Sequence, residues 1–319
     1  MGLLSNFLSA LELSSIIPKR FLLQTGGKHY ALHLGPSLVP MMEDDPRIDH
    51  ANFYFPQEDL LADWCKKNDT HWTVTRPGFL IGAVPEAAMN ITLALAIYAS
   101  VQKELGQKLE FPADILAWDA NKDLSAIKLV SYHAEWAVLT DGAADQALNI
   151  VDDSRFTWGG FWPIVAKWYG IEYGIPEADE SKYASIKMQR DPPPRGFGPP
   201  GELKVTWSFS SWAEKEEVRA AWDKIQDREG LNKRLSPWRN KKALDECFGT
   251  LDAEILGGWA RLESMDKSRK LGWNGFVDTK EGIRNAIEEL AELKLVPSLK
   301  QGRLNSCSGF PFKKKAHVV

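Results

Sequence analysis

Two short segments near the start of the chain carry side chains that could polarise a carbonyl group. In the segment 24–30, Lys28 follows directly on an apolar run, and in the segment 52–59, Tyr54 stands where a helix is expected to begin. Taken singly, Lys28 is better explained as an exposed lysine, and Tyr54 as a tyrosine of the core. Since the sequence offers no other credible acid, the two together predict a proton-donating tyrosine and a lysine that stabilises an oxyanion.

Two other patterns match known motifs only in their spacing. The segment 196–201 has the spacing G-x-G-x-x-G, but two of its residues are prolines, which lack the N–H groups that would bind pyrophosphate. Tyr183 and Lys187 have the Tyr-x-x-x-Lys spacing of short-chain dehydrogenases, but they lie just before Asp191-Pro192 in an irregular region. We therefore expect a plain loop at 196–201 and a coincidental match at Tyr183.

Metal and disulfide chemistry are not indicated. His29 and His33 are four residues apart, but no third ligand follows at a convincing spacing, so a structural or pocket-lining role is favoured. Cys65, Cys247 and Cys307 share no short spacing, which suits a reducing compartment.

Composition and charge narrow the class of protein. The net charge of −4 over 319 residues argues against a nucleic-acid binder. The longest apolar run, 91–101, is too short to span a bilayer, and the N-terminus does not resemble a signal peptide. We expect a cytoplasmic enzyme, or the remnant of one, that binds a small molecule.

The elements that must position Lys28 and Tyr54 alternate between strands and helices. Apolar runs and alternating patterns predict strands at 20–24, 71–75 and 147–151, and helical patterns lie at 3–15, 57–67, 87–105 and 125–139. This alternation predicts an α/β fold with a parallel sheet. Helices at about 211–229, 241–248 and 280–293 predict a mostly helical lobe that follows it.

We therefore expect three regions. Residues 1–155 form a part of a Rossmann-type domain that carries the Lys/Tyr pair, 156–300 form a helical substrate-binding lobe, and 301–319 form a polar tail. Lobe tryptophans suggest an apolar substrate, although aromatic residues in such a lobe more often belong to the core. These tryptophans are Trp158, Trp162, Trp168 and Trp207.

The chain resembles the progesterone 5β-reductase/iridoid synthase-like (PRISE-like) group of atypical extended short-chain dehydrogenases. That group carries a Thr-Gly-x-Lys-His-Tyr segment, here 25–30, and an Asn-Phe-Tyr-x-x-x-Glu-Asp segment, here 52–59. Arg76-Pro77-Gly78 and the segment 265–273 continue the resemblance in the same order.

The resemblance implies a Rossmann-type sheet and an NADPH-type reductase of an enone or enal. Tyr54 would donate a hydrogen bond to the carbonyl oxygen, and Lys28 would stabilise the enolate and lower the pKa of Tyr54. Five residues match the cofactor-binding positions of the family, with Ala88 standing where the family usually has serine. They are Gln24, Ile81, Ala88, Met89 and Asn90.

One departure from the family pattern precedes Lys28. The resemblance predicts earlier strands and a glycine-rich turn that bind the adenosine end of NADP, and this sequence has only one helix and one strand before Lys28. The strand 20–24 is then expected to be an exposed edge that could pair in a homodimer or with a sheet-completing partner. Two alternatives to a reductase stay open: a cofactor-independent isomerase or cyclase, and a non-catalytic remnant.

Overall fold

The computed structural model describes residues 2–87 and 89–299. The strands of this part are β1 Arg20–Gln24, β2 His71–Pro77, β3 Phe79–Ile81, β4 Leu124–Ala126, β5 Gln146–Ile150, β6 Ala184–Lys187 and β7 Glu202–Val205. The helices in its first half are α1 Gly2–Leu13, α2 Tyr54–Lys67, α3 Ile91–Glu104, α4 Ile115–Asp119, α5 Ile127–Leu139 and α6 Trp158–Tyr169. Those that follow are α7 Phe209–Ala213, α8 Glu216–Glu229, α9 Lys241–Ile255, α10 Asp266–Lys270 and α11 Thr279–Glu292.

A three-stranded parallel sheet lies at the centre of the first half, in the order β1-β2-β5. In its register Leu22 of β1 faces Thr73 of β2, and Thr75 of β2 faces Leu148 of β5. The middle strand becomes fully buried from its third residue onward, as expected for a parallel sheet covered on both faces. The predicted α/β fold with a parallel sheet is confirmed, and within the described residues β1 is an edge strand, as expected.

Helices cover this sheet through apolar contacts. Leu4 and Leu8 of α1 pack with Leu61 and Trp64 of α2 in one buried cluster. The spacing of Leu4 and Leu8 follows the helical period, so the same face of α1 is buried at each turn.

The largest core is continuous from β3 and α3 into the helical lobe. Trp158 and Trp162 of α6 are fully buried in it, together with Phe209 and Phe248. Trp168 and Trp207 pack against the same core from partly buried positions. All four lobe tryptophans therefore contribute to the core.

Several predicted helix boundaries move in the structure, and the single helix predicted at about 211–229 is two helices, α7 and α8. Helix α3 begins at Ile91 instead of 87, because Asn90 caps it by accepting a hydrogen bond from Leu93 N–H at 3.0 Å. Helix α2 begins at Tyr54, which leaves Pro56 in its first turn, where proline is tolerated. Helix α9 continues to Ile255 because its later turns pack in the core.

Several elements were not predicted, among them the short β3, β4, α4 and α10, helix α6 and the strands β6 and β7. Helix α6 contains Pro163 and two glycines, which argue against a helix, yet six of its residues are buried by the core. Strands β6 and β7 form an antiparallel hairpin in the region expected to be loop. Tyr183 precedes strand β6 and Lys187 ends it, so their Tyr-x-x-x-Lys spacing is not helical, while 196–201 is loop as expected.

Among residues 2–87 and 89–299, no helix has the length and apolar character needed to cross a membrane. The predicted polar tail 301–319 and Cys307 lie outside the described residues.

Candidate active site

A cavity of about 710 Å³ opens where β1 and β2 end. Its walls come from the turn 25–28, from Pro77-Gly78-Phe79, from the start of α2, and from lobe residues that include Met188 and Trp259. The carboxyl ends of parallel strands are where open α/β sheets bind their ligands. The position and volume therefore suit a small-molecule site.

Lys28 and Tyr54 both line this cavity, although 26 positions separate them in the sequence. Asn52 links the two segments: its amide donates to the Lys28 carbonyl oxygen at 3.1 Å, and its side-chain oxygen accepts from Tyr54 N–H at 3.0 Å. The asparagine of the second motif thus ties the turn that carries Lys28 to the first residue of α2.

The turn lies close to its neighbours at the two glycines of the first motif, and Gly27 is the one with no room for a side chain. A Cβ atom on Gly26 would lie 3.4 Å from the Tyr54 hydroxyl oxygen and 3.4 Å from the Pro77 carbonyl oxygen. A Cβ atom on Gly27 would lie 2.8 Å from Leu32 Cδ2 and 2.9 Å from Glu263 Oε1, which is too close for an unshifted structure. The two glycines let the backbone pass between Tyr54 and Glu263.

The electrostatics of Tyr54 differ from the expectation. Burial raises the pKa of Tyr54, and no opposing effect of Lys28 accompanies it. The predicted lowering by Lys28 is therefore wrong for this structure, because the half-buried phenol is desolvated while Lys28 is exposed. The direction found keeps Tyr54 protonated at neutral pH, so its hydroxyl can donate a hydrogen bond.

Glu58, like Asn52, connects the segment 52–59 with the segment 25–30. Its Oε1 lies 3.3 Å from His29 Nδ1, and its Oε2 lies 3.1 Å from an Arg76 nitrogen and 3.3 Å from an Arg47 nitrogen. Burial alone would raise the pKa of Glu58, but the contacts with His29 and Arg76 lower it to about 2. Glu58 is therefore a buried carboxylate between the segment of Lys28 and the end of β2.

The remaining residue of the first motif is anchored in the core. Tyr30 donates its hydroxyl hydrogen to Asn149 Oδ1 at 2.6 Å. The Asn149 amide in turn donates to the carbonyl oxygens of Met41 and Ser264, at 3.1 and 3.2 Å. Lys28 thus sits on a turn whose next two residues, His29 and Tyr30, are held by buried partners.

A buried acid that was not singled out from the sequence lies behind Gly27 and Gly78 of the cavity wall. Glu263 is 5% exposed, and its Oε1 faces Gly27 and Gly78. Burial, together with the neighbouring Asp123 and Glu254 carboxyls, raises the pKa of Glu263 to about 8. The side chain is therefore largely neutral at pH 7.

The predicted cofactor residues occupy different environments. Met89 is exposed and lines the cavity, and Gln24 is exposed at the end of β1. Ile81 is buried in the core, and Asn90 is buried as the cap of α3, with its amide also donating to the Gly82 carbonyl oxygen at 3.2 Å. Ala88 lies outside the described residues. The structure thus brings Met89 to the cavity with Lys28 and Tyr54, and gives Ile81 and Asn90 packing and capping roles.

The two histidines of the four-residue spacing do not form a metal site. His29 contacts Glu58, whereas His33 lines the cavity, and burial followed by the charge of Lys28 lowers the pKa of His33 to about 4. The described residues contain no group of three or more side chains suited to hold a metal ion.

Several residues important to the geometry were not singled out from the sequence. Glu58 and Arg76 stood inside recognised motifs, and a charged residue type at a motif position was the available signal. Glu263 and the cavity-lining Arg261, which pairs with buried Glu254 at 3.0 Å, are distant in sequence from both motifs. Nothing in their local sequence indicated a place beside the cavity.

Comparison with known proteins agrees with this fold. The model of the PRISE-like Rossmann-fold domain family matches residues 6–190. A short chain dehydrogenase of Penicillium aethiopicum is 29% identical over 93% of this chain and 74% of its own length. An (S)-8-oxocitronellyl enol synthase of Nepeta racemosa is 30% identical over 92% of this chain and 69% of its own length. A 3-oxo-Delta(4,5)-steroid 5-beta-reductase of Arabidopsis thaliana is 30% identical over 89% of this chain and 68% of its own length.

A solved structure shares the fold at low identity. An epimerase of Methanothermobacter thermautotrophicus superposes with a TM-score of 0.52 and 14% identity, over 91% of this chain and 63% of that chain.

The family model and the relatives identify an oxidoreductase of the short-chain dehydrogenase type. Within that class, the chain belongs to the PRISE-like Rossmann-fold family, as its two motifs predict.

Proposed function

We propose that the protein is an NADPH-type reductase of an enone, an enal or a related carbonyl metabolite. The observation that carries this proposal is that Tyr54 and Lys28 line one mostly apolar cavity at the ends of β1 and β2. The relatives named as an enol synthase of an oxo compound and as a reductase of an oxosteroid support the same substrate class.

Each of the two residues has a distinct role in the proposed reaction. Tyr54 donates a hydrogen bond to the substrate carbonyl oxygen, and its raised pKa keeps that proton in place. The ammonium of Lys28 stabilises the negative charge that grows on the same oxygen as the enolate forms. Apolar side chains such as Phe79, Met188 and Trp259 exclude water from this oxygen and so strengthen both interactions.

The residues around the cavity fit the reactive end of a nicotinamide cofactor. Gly26 and Gly27 leave the cavity wall beside Tyr54 free of side chains. Met89 lines the same cavity. A volume of about 710 Å³ is within the range of pockets that hold a drug-sized ligand. When bound, NADPH supplies the hydride that the reduction requires.

Replacement of Tyr54 by phenylalanine tests the proposal. We expect Tyr54→Phe to lower kcat by about 10²- to 10⁴-fold, because it removes the general acid while it keeps the ring. The measurement is NADPH consumption with a panel of enals, cyclic enones and 3-oxosteroids. Tyr173→Phe, at an exposed tyrosine that does not line the cavity, should keep wild-type rates. Equal rates for Tyr54→Phe and the wild type would contradict the proposed role.

The same panel tested without NADPH examines the isomerase or cyclase alternative. Turnover that needs no nucleotide and is lost in Tyr54→Phe would favour that alternative. Turnover only in the presence of NADPH supports the reductase.

A further inference from the structure

Glu58 lies one helical turn after Tyr54 on α2, on the same side of the helix. Its side chain is only 7% exposed, and it does not line the cavity. A buried carboxylate so close to a candidate catalytic residue needs partners, because an unpaired buried charge is strongly unfavourable.

The partners of Glu58 come from the other walls of the cavity. His29, which contacts Oε1 at 3.3 Å, directly follows Lys28 in the chain. Arg76, which contacts Oε2 at 3.1 Å, directly precedes the cavity residues Pro77 and Gly78. One carboxylate therefore contacts neighbours of Lys28 and of Pro77, while its own helix carries Tyr54.

The surroundings of Glu58 make this link rigid. The ring of Phe55 packs edge-on against His29, with 5.0 Å between ring centroids. Arg76 is itself 4% exposed, and it donates a second hydrogen bond, to the Glu43 carbonyl oxygen at 3.2 Å. A displacement of Glu58 would therefore be transmitted to the turn of Lys28 and to the start of α2 together.

We propose that Glu58 is a positioning residue that holds Lys28 and Tyr54 at the spacing the reaction needs, an inference that rests on the proposed function. Glu58 touches neither substrate nor cofactor and acts through His29 and through helix α2. A displacement of a catalytic group by about 1 Å can lower a rate by about 10²-fold.

Glu58→Gln tests the proposal, with Glu12→Gln as the matched control. Glu12 pairs with Lys67 at the far end of α2, at 3.0 Å, so the control removes an ion pair from the same helix away from the cavity. In protein that is fully folded by circular dichroism, we expect Glu58→Gln to lower kcat by about 10- to 100-fold, with KM for the carbonyl substrate changed less than about threefold. Glu12→Gln should keep the wild-type kcat.

A second variant separates positioning from stability. Glu58→Met/Arg76→Met replaces the buried ion pair by apolar side chains of similar length, an exchange that folded proteins often tolerate. We expect this double variant to remain folded and to lose kcat as Glu58→Gln does. Folded Glu58→Gln and Glu58→Met/Arg76→Met with wild-type kcat would overturn the proposal.

A double-mutant cycle with Tyr54→Phe adds a signature that a purely structural role would not produce. Residues that act as a unit are non-additive, so Glu58→Gln should lower the residual rate of Tyr54→Phe by a smaller factor than it lowers the wild-type rate, because only its effect through Lys28 remains. The same factor in both backgrounds would show that Glu58 does not position Tyr54 and would overturn that part of the proposal.

An NMR measurement that requires no substrate tests the link between Glu58 and Tyr54 separately from the proposed function. The Tyr54 ¹³Cζ NMR signal, identified by its loss in Tyr54→Phe, should shift in Glu58→Gln and stay in place in Glu12→Gln. If the wild type turns over no carbonyl compound while the signal shifts, the proposed function fails and the link from Glu58 to Tyr54 stands. An unchanged signal in Glu58→Gln overturns the link.

Discussion

At the scale of single residues, burial decides the protonation of the groups around the cavity. Tyr54 is half-buried, and its raised pKa preserves a hydrogen-bond donor. Glu58, in contrast, is buried among cationic partners, and its lowered pKa preserves a charge. At these two groups, one helical turn apart, the surroundings reinforce the protonation states that tyrosine and glutamate ordinarily have at neutral pH.

The buried acid Glu263 predicts a pH dependence of stability. Its pKa is raised to about 8 in the folded protein, mainly by burial, whereas the unfolded chain loses the proton near the ordinary value of 4.5. Between these two values the folded state holds more protons, so this group lowers stability as pH rises from about 4.5 to 8. In Glu263→Gln the free energy of unfolding should fall less steeply as pH rises. Urea unfolding at about pH 5, about pH 6.5 and about pH 8 measures this dependence.

The exposed Glu217→Gln serves as the control for this measurement and should keep the wild-type slope. Asp123 and Asp152, whose pKa values burial raises to about 7 and about 6, remain in both variants and contribute a decline of the same sign. Identical slopes for Glu263→Gln and the wild type would contradict the raised pKa of Glu263.

At the scale of elements, the turn after β1 positions Lys28 through backbone that only glycine allows. Gly26 and Gly27 pass between the Tyr54 hydroxyl and the Glu263 carboxyl, with no room for a Cβ atom on Gly27. The short helical turn Gly27–Tyr30 then directs Lys28 to the cavity and His29 and Tyr30 to the interior.

Gly27→Ala tests the tightness of this turn. We expect a loss of about 1–3 kcal/mol in the free energy of unfolding, because the added methyl group would contact Leu32 and Glu263 at 2.8 and 2.9 Å. We also expect a lower kcat, since the strain is relieved by moving the segment of Lys28. Urea unfolding and steady-state kinetics measure the two effects.

Gly160→Ala, whose added Cβ would lie 3.4 Å from Thr157 Oγ1 in helix α6, is the matched control. It should change stability and kcat little. If Gly27→Ala kept the wild-type free energy of unfolding and the wild-type kcat, the expected strain in the turn would be contradicted.

At the scale of the whole molecule, the lobe and the sheet enclose one cavity. Arg261, Trp259 and Met188 come from the second half of the chain and face the turn that carries Lys28. A ligand that fills the cavity therefore contacts both halves, and its binding should stabilise the folded state as a whole.

NADPH binding provides the measurement at this scale. At 100 times its dissociation constant, a ligand that binds only the folded state raises the free energy of unfolding by about 2.7 kcal/mol. We expect NADPH to raise the denaturant midpoint of unfolding of this protein. No shift at millimolar nucleotide, with the protein folded, would contradict cofactor binding by this chain.

The edge position of β1 belongs to the same scale. Within the described residues β1 pairs with β2 alone, so its other side offers backbone groups for pairing. A homodimer or a sheet-completing partner stays a prediction, which sedimentation at micromolar concentration would test.

The sequence by itself determined the local elements and the family. The strands at 20–24 and 71–75 and the helix that carries Tyr54 follow from apolar patterns and terminal signals, which are properties of neighbouring residues. The two motifs indicated the PRISE-like family because each is a short run of residues whose types and spacing are visible in the sequence.

Only the tertiary structure decided how those segments meet. The contact of Glu58 with His29 and Arg76, and the approach of Glu263 to Gly27, join residues far apart in the chain. Helix α6 forms against its own proline and glycines because burial in the core outweighs local propensity. The upward direction of the Tyr54 pKa depends on desolvation, a property of the folded surroundings that residue types and spacing do not contain.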